Sequence, residues 1–177
     1  MKKTVFCALL ALALFAAFAL ADEGSDMAPD FTVYDRDGAP VRRSGLLGRP
    51  VIVNIWATWC PPCRAELGYF DEAAQEYGDE IAFMMVDMTD GQYETVQGVE
   101  EFLAQTGYAF PVYFDTDYSA ADAYRVEAIP TSLFITADGK LMDLVVGSME
   151  REFLRQHIDA LLSASRDAAA QPAPSAA

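Results

Sequence analysis

Apolar positions recur along this chain with two periods, and the changes of period mark out its elements. Phe31-Thr32-Val33-Tyr34 alternates and ends in Asp35-Arg36-Asp37-Gly38, a turn signal. Val41 starts a second short extended piece, so residues 31 to 41 predict a hairpin. Gly45 to Pro50 reads as a loop. Val51 to Ala57 is almost wholly apolar and rich in β-branched residues, the pattern of a central strand buried on both faces. From about Pro62 to Tyr77 the period becomes helical, with Leu67, Phe70, Ala74 and Tyr77 on one stripe and Gly78 behind it. Ile81 to Val86 is a second buried strand. Thr89 or Asp90 offers a cap for a helix over about Tyr93 to Thr106, closed by Gly107. Phe110 to Phe114 is a strand and Tyr118 to Tyr124 a short helix. Ser132 to Ile135 and Leu141 to Val146 flank a tight Ala137-Asp138-Gly139-Lys140 turn, a second hairpin. The last helix covers Glu150 to Leu162, with Leu154, Ile158 and Leu161 inward. Strands alternating with helices imply an α/β fold, a mixed central sheet with helices on both faces.

The N-terminus is separate from this pattern. Lys2 and Lys3 precede a chargeless run from Thr4 to Leu20, and Ala19-Leu20-Ala21 is a small-x-small site followed by Asp22 and Glu23. Residues 1–21 are therefore expected to be a cleaved signal peptide rather than a membrane anchor. Cys7 lies inside the run without a lipoprotein cleavage context, so no lipid attachment is expected. Residues 22–27 form a leader, 28–163 the folded domain, and 164–177, rich in Ala and Pro, a disordered tail.

Charge then narrows the function classes. Twenty-seven acids against 12 Lys and Arg give a net charge of −15. That balance excludes a nucleic-acid binder, which needs a basic footprint, and disfavours anionic membrane surfaces. With the signal peptide removed, Cys60 and Cys63 are the only cysteines. A pair three residues apart closes too short a loop to staple a fold, so in an oxidising compartment it points to chemistry.

The chemistry is concentrated in Trp59-Cys60-Pro61-Pro62-Cys63, directly after the buried strand and at the start of a helix. Helix N-termini present free N–H groups and partial positive charge, which favour a thiolate at Cys60. Cys63, one turn in, can close a disulfide. Cys60 is then the attacking sulfur and Cys63 the resolving one. Pro61 and Pro62 remove two N–H donors, leaving that of Cys63 to serve. A moderate stabilisation of the thiolate follows, and with it a reductant or weak oxidant. Half of a zinc site is the competing reading of two close cysteines. The chain offers no second pair and one histidine, His157, read as the edge of an amphipathic helix, so no metal is expected. Asp87, Asp90, Asp115 and Asp117 read as loop and cap acids, without the density of a calcium loop. Trp56 reads as core, and Trp59 as an apolar shield beside the disulfide.

Val-Asn-Ile-Trp-Ala-Thr-Trp-Cys-Pro-Pro-Cys-Arg-Ala-Glu (Val53 to Glu66) resembles the active-site segment of TlpA/ResA-type, DsbE-like thioredoxin-like proteins, exported thiol–disulfide oxidoreductases. Ala28-Pro29-Asp30-Phe31 with Asp37-Gly38 resembles the family's opening hairpin. Ile129-Pro130-Thr131 resembles its cis-proline loop and Asp138-Gly139 its later turn. Thr89 to Gly107 resembles the helix this family inserts into the thioredoxin plan. The likeness spans residues 28 to 163. It implies a thioredoxin-like fold in which the backbone of Ile129 lies beside the nucleophilic sulfur and pairs with an extended substrate. Glu66, three residues after Cys63, matches a glutamate that the ResA-like branch holds near the thiols, where a carboxyl in low dielectric can exchange protons with the resolving sulfur. A solvated first-turn acid is its plainer reading. Thioredoxin carries a buried aspartate where this chain has Asn54, which cannot titrate.

The resemblance therefore implies a protein-disulfide reductase with catalytic Cys60, Cys63 and Glu66. Trp59, Pro61, Pro62, Ile129 and Pro130 would contact substrate. No cofactor is expected. The implied substrates are apocytochrome c, extracytoplasmic thiol enzymes such as methionine sulfoxide reductases, and general protein disulfides. Electrons would come from a membrane thiol transporter of the CcdA/DsbD kind, and the protein is expected to be a monomer. The alternatives are a thiol peroxidase-like redoxin, whose nucleophile loop this chain lacks, and a non-enzymatic binding or chaperone domain.

Overall fold

A computed structural model describes residues 27–170. The expected signal peptide, almost all of the leader and residues 171–177 lie outside the described residues.

Seven strands form one sheet in the order β2-β1-β5-β4-β3-β6-β7. β1 (Thr32–Tyr34) and β2 (Pro40–Arg42) are the opening hairpin. β3 (Val51–Trp56), β4 (Ala82–Asp87) and β5 (Val112–Phe114) run parallel. β6 (Thr131–Ile135) returns antiparallel against β3, and β7 (Leu141–Val146) completes the second hairpin. The helices are α1 (Pro61–Tyr77), α2 (Val96–Thr106), α3 (Ser119–Ala123) and α4 (Arg151–Ala170). The expected loop before β3 holds a 3-10 turn over Arg43–Leu46.

The period of two in β3 divides the interior. Ile52 and Trp56 face α1, α2 and α4, packing with Leu67, Phe70, Val99, Leu103, Leu154, Ile158 and Leu161. Val51, Val53 and Ile55 face the other side, with Met84, Val86, Ala120 of α3 and Phe31 and Val33 of the hairpin. Every residue of β3 and β4 is buried. Each large apolar side chain so enclosed contributes about 1.5–3 kcal/mol. Asn54, in phase with Ile52 and Trp56, is thereby aimed at α1.

Helix starts follow side-chain caps. α2 begins at Val96, three residues later than the apolar pattern predicts, because Thr95 Oγ1 accepts from the N–H of Gly98 at 3.1 Å. Asp90 does not cap that helix. Its Oδ1 accepts from the N–H groups of Gln92, Tyr93 and Glu94, tying an irregular loop ahead of it. Gly107 closes α2 in the left-handed region, φ +75°.

The tail expected from residue 164 is corrected over 164–170, which continue α4. Alanine is the strongest helix former, so an Ala-rich stretch lengthens a helix already docked. Ser165 remains on the buried stripe, and its Oγ accepts from the N–H of Ala137 at 3.3 Å. Arg151–Glu72 and Arg155–Glu76 pair α4 with α1 at the surface and add little energy there. Apolar packing sets the register of α4, and with it the position of Met149 just before the helix.

Candidate functional site

β3 ends at Trp56, and a turn closed by the N–H of Cys60 on the carbonyl of Ala57 (3.2 Å) leads into α1. Cys60 is the N-cap of α1, with extended backbone. Its Sγ accepts from the N–H of Cys63 at 3.2 Å. Pro61 and Pro62 occupy the first two helical positions, where an N–H would have no partner within the helix. Cys60 and Cys63 form a disulfide with Cα atoms 5.3 Å apart. Cys63 is fully buried and Cys60 shows 2% of its surface, whereas the neighbouring Trp59 is 61% exposed and Trp56 is sealed in the core.

The Ile129–Pro130 peptide bond is cis, and the carbonyl oxygen of Ile129 lies 3.7 Å from Cys60 Sγ. Pro130 is held at the start of β6, where its carbonyl accepts from the N–H of Gly147. Two segments some seventy residues apart in sequence thus meet at one sulfur.

Glu66 is completely buried. Its Oε1 accepts from Asn54 Nδ2 at 2.8 Å and its Oε2 from the N–H of Met149 at 2.6 Å. Burial pushes its pKa up to about 7, although both N–H donors pull the other way. The same Nδ2 also donates to Ser132 Oγ at 2.8 Å, while Asn54 Oδ1 has no partner among the described residues. Turning that amide over gives a neutral Glu66 an acceptor for its O–H. The solvated first-turn reading of Glu66 is excluded. Asn54 is the hydrogen-bonded core amide of the plainer reading, and its partner is Glu66 itself.

Asp87 departs from expectation. It is not a loop or cap acid but the last residue of β4, fully buried opposite Trp56. Asp115 does cap, accepting from the N–H groups of Ala120 and Ala121. Three residues near the site escaped the sequence reading: Thr58, Glu94 and Met149. Glu94 is buried, with Oε1 accepting from the N–H of Thr58 at 2.6 Å and Oε2 from its hydroxyl at 2.8 Å. A glutamate in a polar loop carries no burial signal of its own. His157, in the second turn of α4, bonds Asp143 of β7 and the carbonyl of Phe153.

The geometry suits thiol–disulfide exchange: a dithiol at a helix N-terminus, a backbone edge beside its first sulfur, and a buried carboxyl poised near neutrality. Residues 25–144 match the AhpC/TSA family. Thiol-disulfide oxidoreductase ResA of Bacillus subtilis (strain 168) is 34% identical over 150 residues, covering 83% of this chain and 80% of that protein. Among solved structures, a thioredoxin-family thiol:disulfide interchange protein from Chlorobium tepidum TLS superposes with a TM-score of 0.68 at 27% identity. It covers 80% of this chain and 99% of its own. A secreted Mycobacterium tuberculosis disulfide oxidoreductase homologous to E. coli DsbE superposes with a TM-score of 0.64 at 25% identity, over 74% of this chain and 96% of its own.

Proposed function

This chain belongs to the AhpC/TSA family and is a ResA-like thiol–disulfide oxidoreductase of thioredoxin-like fold, and from that premise we propose that it is a protein-disulfide reductase in which Cys60 attacks and Cys63 resolves. The observation that carries this reading is the disulfide at the head of α1 with the Ile129 carbonyl 3.7 Å from Cys60 Sγ.

In the reduced protein the Cys60 thiolate, favoured by the helix N-terminus and the N–H of Cys63, attacks one sulfur of a partner disulfide. A Cys60–partner bond forms and the partner's second sulfur leaves as a thiolate. Cys63 then gives up its proton and attacks Cys60 Sγ. The Cys60–Cys63 bond forms, the mixed disulfide breaks, and the partner leaves with two electrons gained. Glu66, one turn beyond Cys63 and half ionised near pH 7, takes the proton of Cys63. The partner lies extended along Ile129 and Pro130, with Trp59, Pro61 and Pro62 forming the apolar rim that receives it.

Reduction rather than oxidation is supported by the two prolines, which leave the Cys60 thiolate one N–H where a prolineless turn has more. The direction requires a dithiol donor, taken here as a membrane thiol transporter of the CcdA/DsbD kind. The partners are disulfides in apocytochrome c or in extracytoplasmic thiol enzymes. The basic start, the chargeless run to Leu20 and the Ala19-Leu20-Ala21 site support export with residues 1–21 removed. Among the described residues no helix is long and apolar enough to cross a membrane.

A Cys63→Ser variant tests the assignment in the producing cell. It is expected to accumulate partners linked through Cys60, separable by reduction and identifiable by mass spectrometry. Linkage through no residue, or equal trapping by Cys60→Ser, overturns the roles given to the two sulfurs.

A further inference from the structure

Two buried carboxyl groups lie on the far side of the active-site turn from Glu66. Asp87 ends β4 with no exposed surface, and Glu94 follows in the loop before α2 with 3% exposed. The two carboxyl groups approach within hydrogen-bonding reach of each other. Two carboxylates cannot make a hydrogen bond unless one carries a proton, since both would only accept. The remaining contacts say which one does. Both oxygens of Glu94 are taken by donors, the N–H and hydroxyl of Thr58. Asp87 Oδ1 accepts from Thr89 Oγ1 at 2.7 Å, but among the described residues no donor reaches Asp87 Oδ2. An oxygen left without a donor inside a protein is satisfied when it carries the hydrogen itself.

We propose that Asp87 is a protonated positioning residue whose O–H holds the Glu94 carboxylate, through which it fixes Thr58 and the turn that presents Trp59 and Cys60. The assignment rests on the reading of Cys60 as the attacking sulfur. The linkage is short: Thr58 is clamped at two atoms, and two residues later the N–H of Cys60 closes the turn on Ala57. Glu94 is itself fixed, its N–H donating to Asp90 Oδ1 and its carbonyl accepting from Gly91.

The surroundings favour one shared proton. The charges that act most on Asp87 are Glu94 and Asp90, both acids. The turn after β3 contributes the neutral Thr58. Just after β5 the backbone N–H of Asp115 donates to the Asp87 carbonyl, while the Asp115 carboxylate is turned toward α3. On α2, Glu100 is paired with Arg36. Burial, with Glu94 beside it, pushes Asp87 up to about 9, so the pair holds its proton throughout the range in which thiol exchange operates.

The test compares the full protein with Asp87→Asn, Asp87→Ala, Thr58→Ser and Thr58→Val, following the rate at which dithiothreitol and oxidised glutathione cycle the cysteine pair. Infrared difference spectra report the carboxylic-acid C=O stretch. The wild type is expected to show that band at pH 8, where Glu66 is already ionised, and to lose it as pH passes about 9; Asp87→Asn deletes it. Asp87→Ala is expected to slow exchange about ten-fold, the cost of a charged hydrogen bond, and Asp87→Asn, which keeps an N–H donor for Glu94, to recover most of it. Thr58→Ser exchanges faster than Thr58→Val, a comparison that decides the matter if Asp87→Ala does not fold. The proposal is overturned if no band at pH 8 depends on Asp87, or if the conservative and disruptive variants exchange at one rate. A wild type that cannot cycle its cysteines at all sinks the oxidoreductase reading instead, while the infrared band still reports the Asp87 proton.

Discussion

Glu66 and Asn54 form a buried polar pair whose two members were visible in the sequence for different reasons. Spacing placed Glu66 on the cysteine side of α1, and the resemblance gave it a role. Asn54 was noticed for what it cannot do, namely titrate. That the amide bonds the carboxyl at 2.8 Å depends on the phase of β3 and on β6 supplying Ser132, neither of which a local pattern encodes. The consequence for pH is specific. Glu66 has a native pKa of about 7 against 4.5 for its unfolded reference. Between those values the folded protein binds more protons than the unfolded one. Stability from this group is thus full below about pH 4.5 and lost as pH rises through 7, a loss on the order of 3 kcal/mol. Urea unfolding of Glu66→Gln is expected to lack that decline relative to the wild type. Its exchange rate should also lose the inflection near pH 7. If the two proteins keep parallel stability curves from pH 5 to 8, the raised carboxyl is wrong.

At the level of elements, the head of α1 was readable because cysteine, proline and the preceding strand are all strong local signals. Both ends of the other helices were harder. A threonine cap three residues into a polar loop outcompeted the earlier Asp90, and an alanine run whose composition suggests disorder extended α4 once Leu154, Ile158 and Leu161 had docked it. The α1 head also sets the redox poise. Replacing Pro62 by His puts a cationic donor beside Cys60 and stabilises its thiolate, so Pro62→His should be the stronger oxidant. Its potential, measured by equilibration with glutathione, is expected to rise by about 30 mV for each tenfold gain in the stability of the reduced form. An unchanged potential would show that the helix head does not govern the couple.

Across the whole molecule, strand alternation announced a mixed α/β sheet, but not that β5 would insert between β1 and β4. That order brings the ends of β3 and β4 and the start of β6 to one edge, where cysteines, buried acids and the cis-proline loop converge. Asp87 was misjudged for this reason: at the end of an apolar run an aspartate looks like the first loop residue, and only a neighbouring strand on each side shows that it is still inside. The acidic balance, −15 over the chain, acts on the same edge from a distance. Exchange with oxidised glutathione, itself anionic, is expected to accelerate with added salt, and exchange with a cationic disulfide such as cystamine to slow. Salt-independent rates for both would show that long-range charge has no part in encounter.

The sharp contrast between the chain's two indoles has a practical outcome. Trp56 is walled off by packing while Trp59 stands in water next to a sulfur pair that quenches nearby excited states when oxidised. The molecule therefore carries its own optical gauge. Its ultraviolet emission should brighten as electrons enter, so turnover can be followed in real time without attaching a dye.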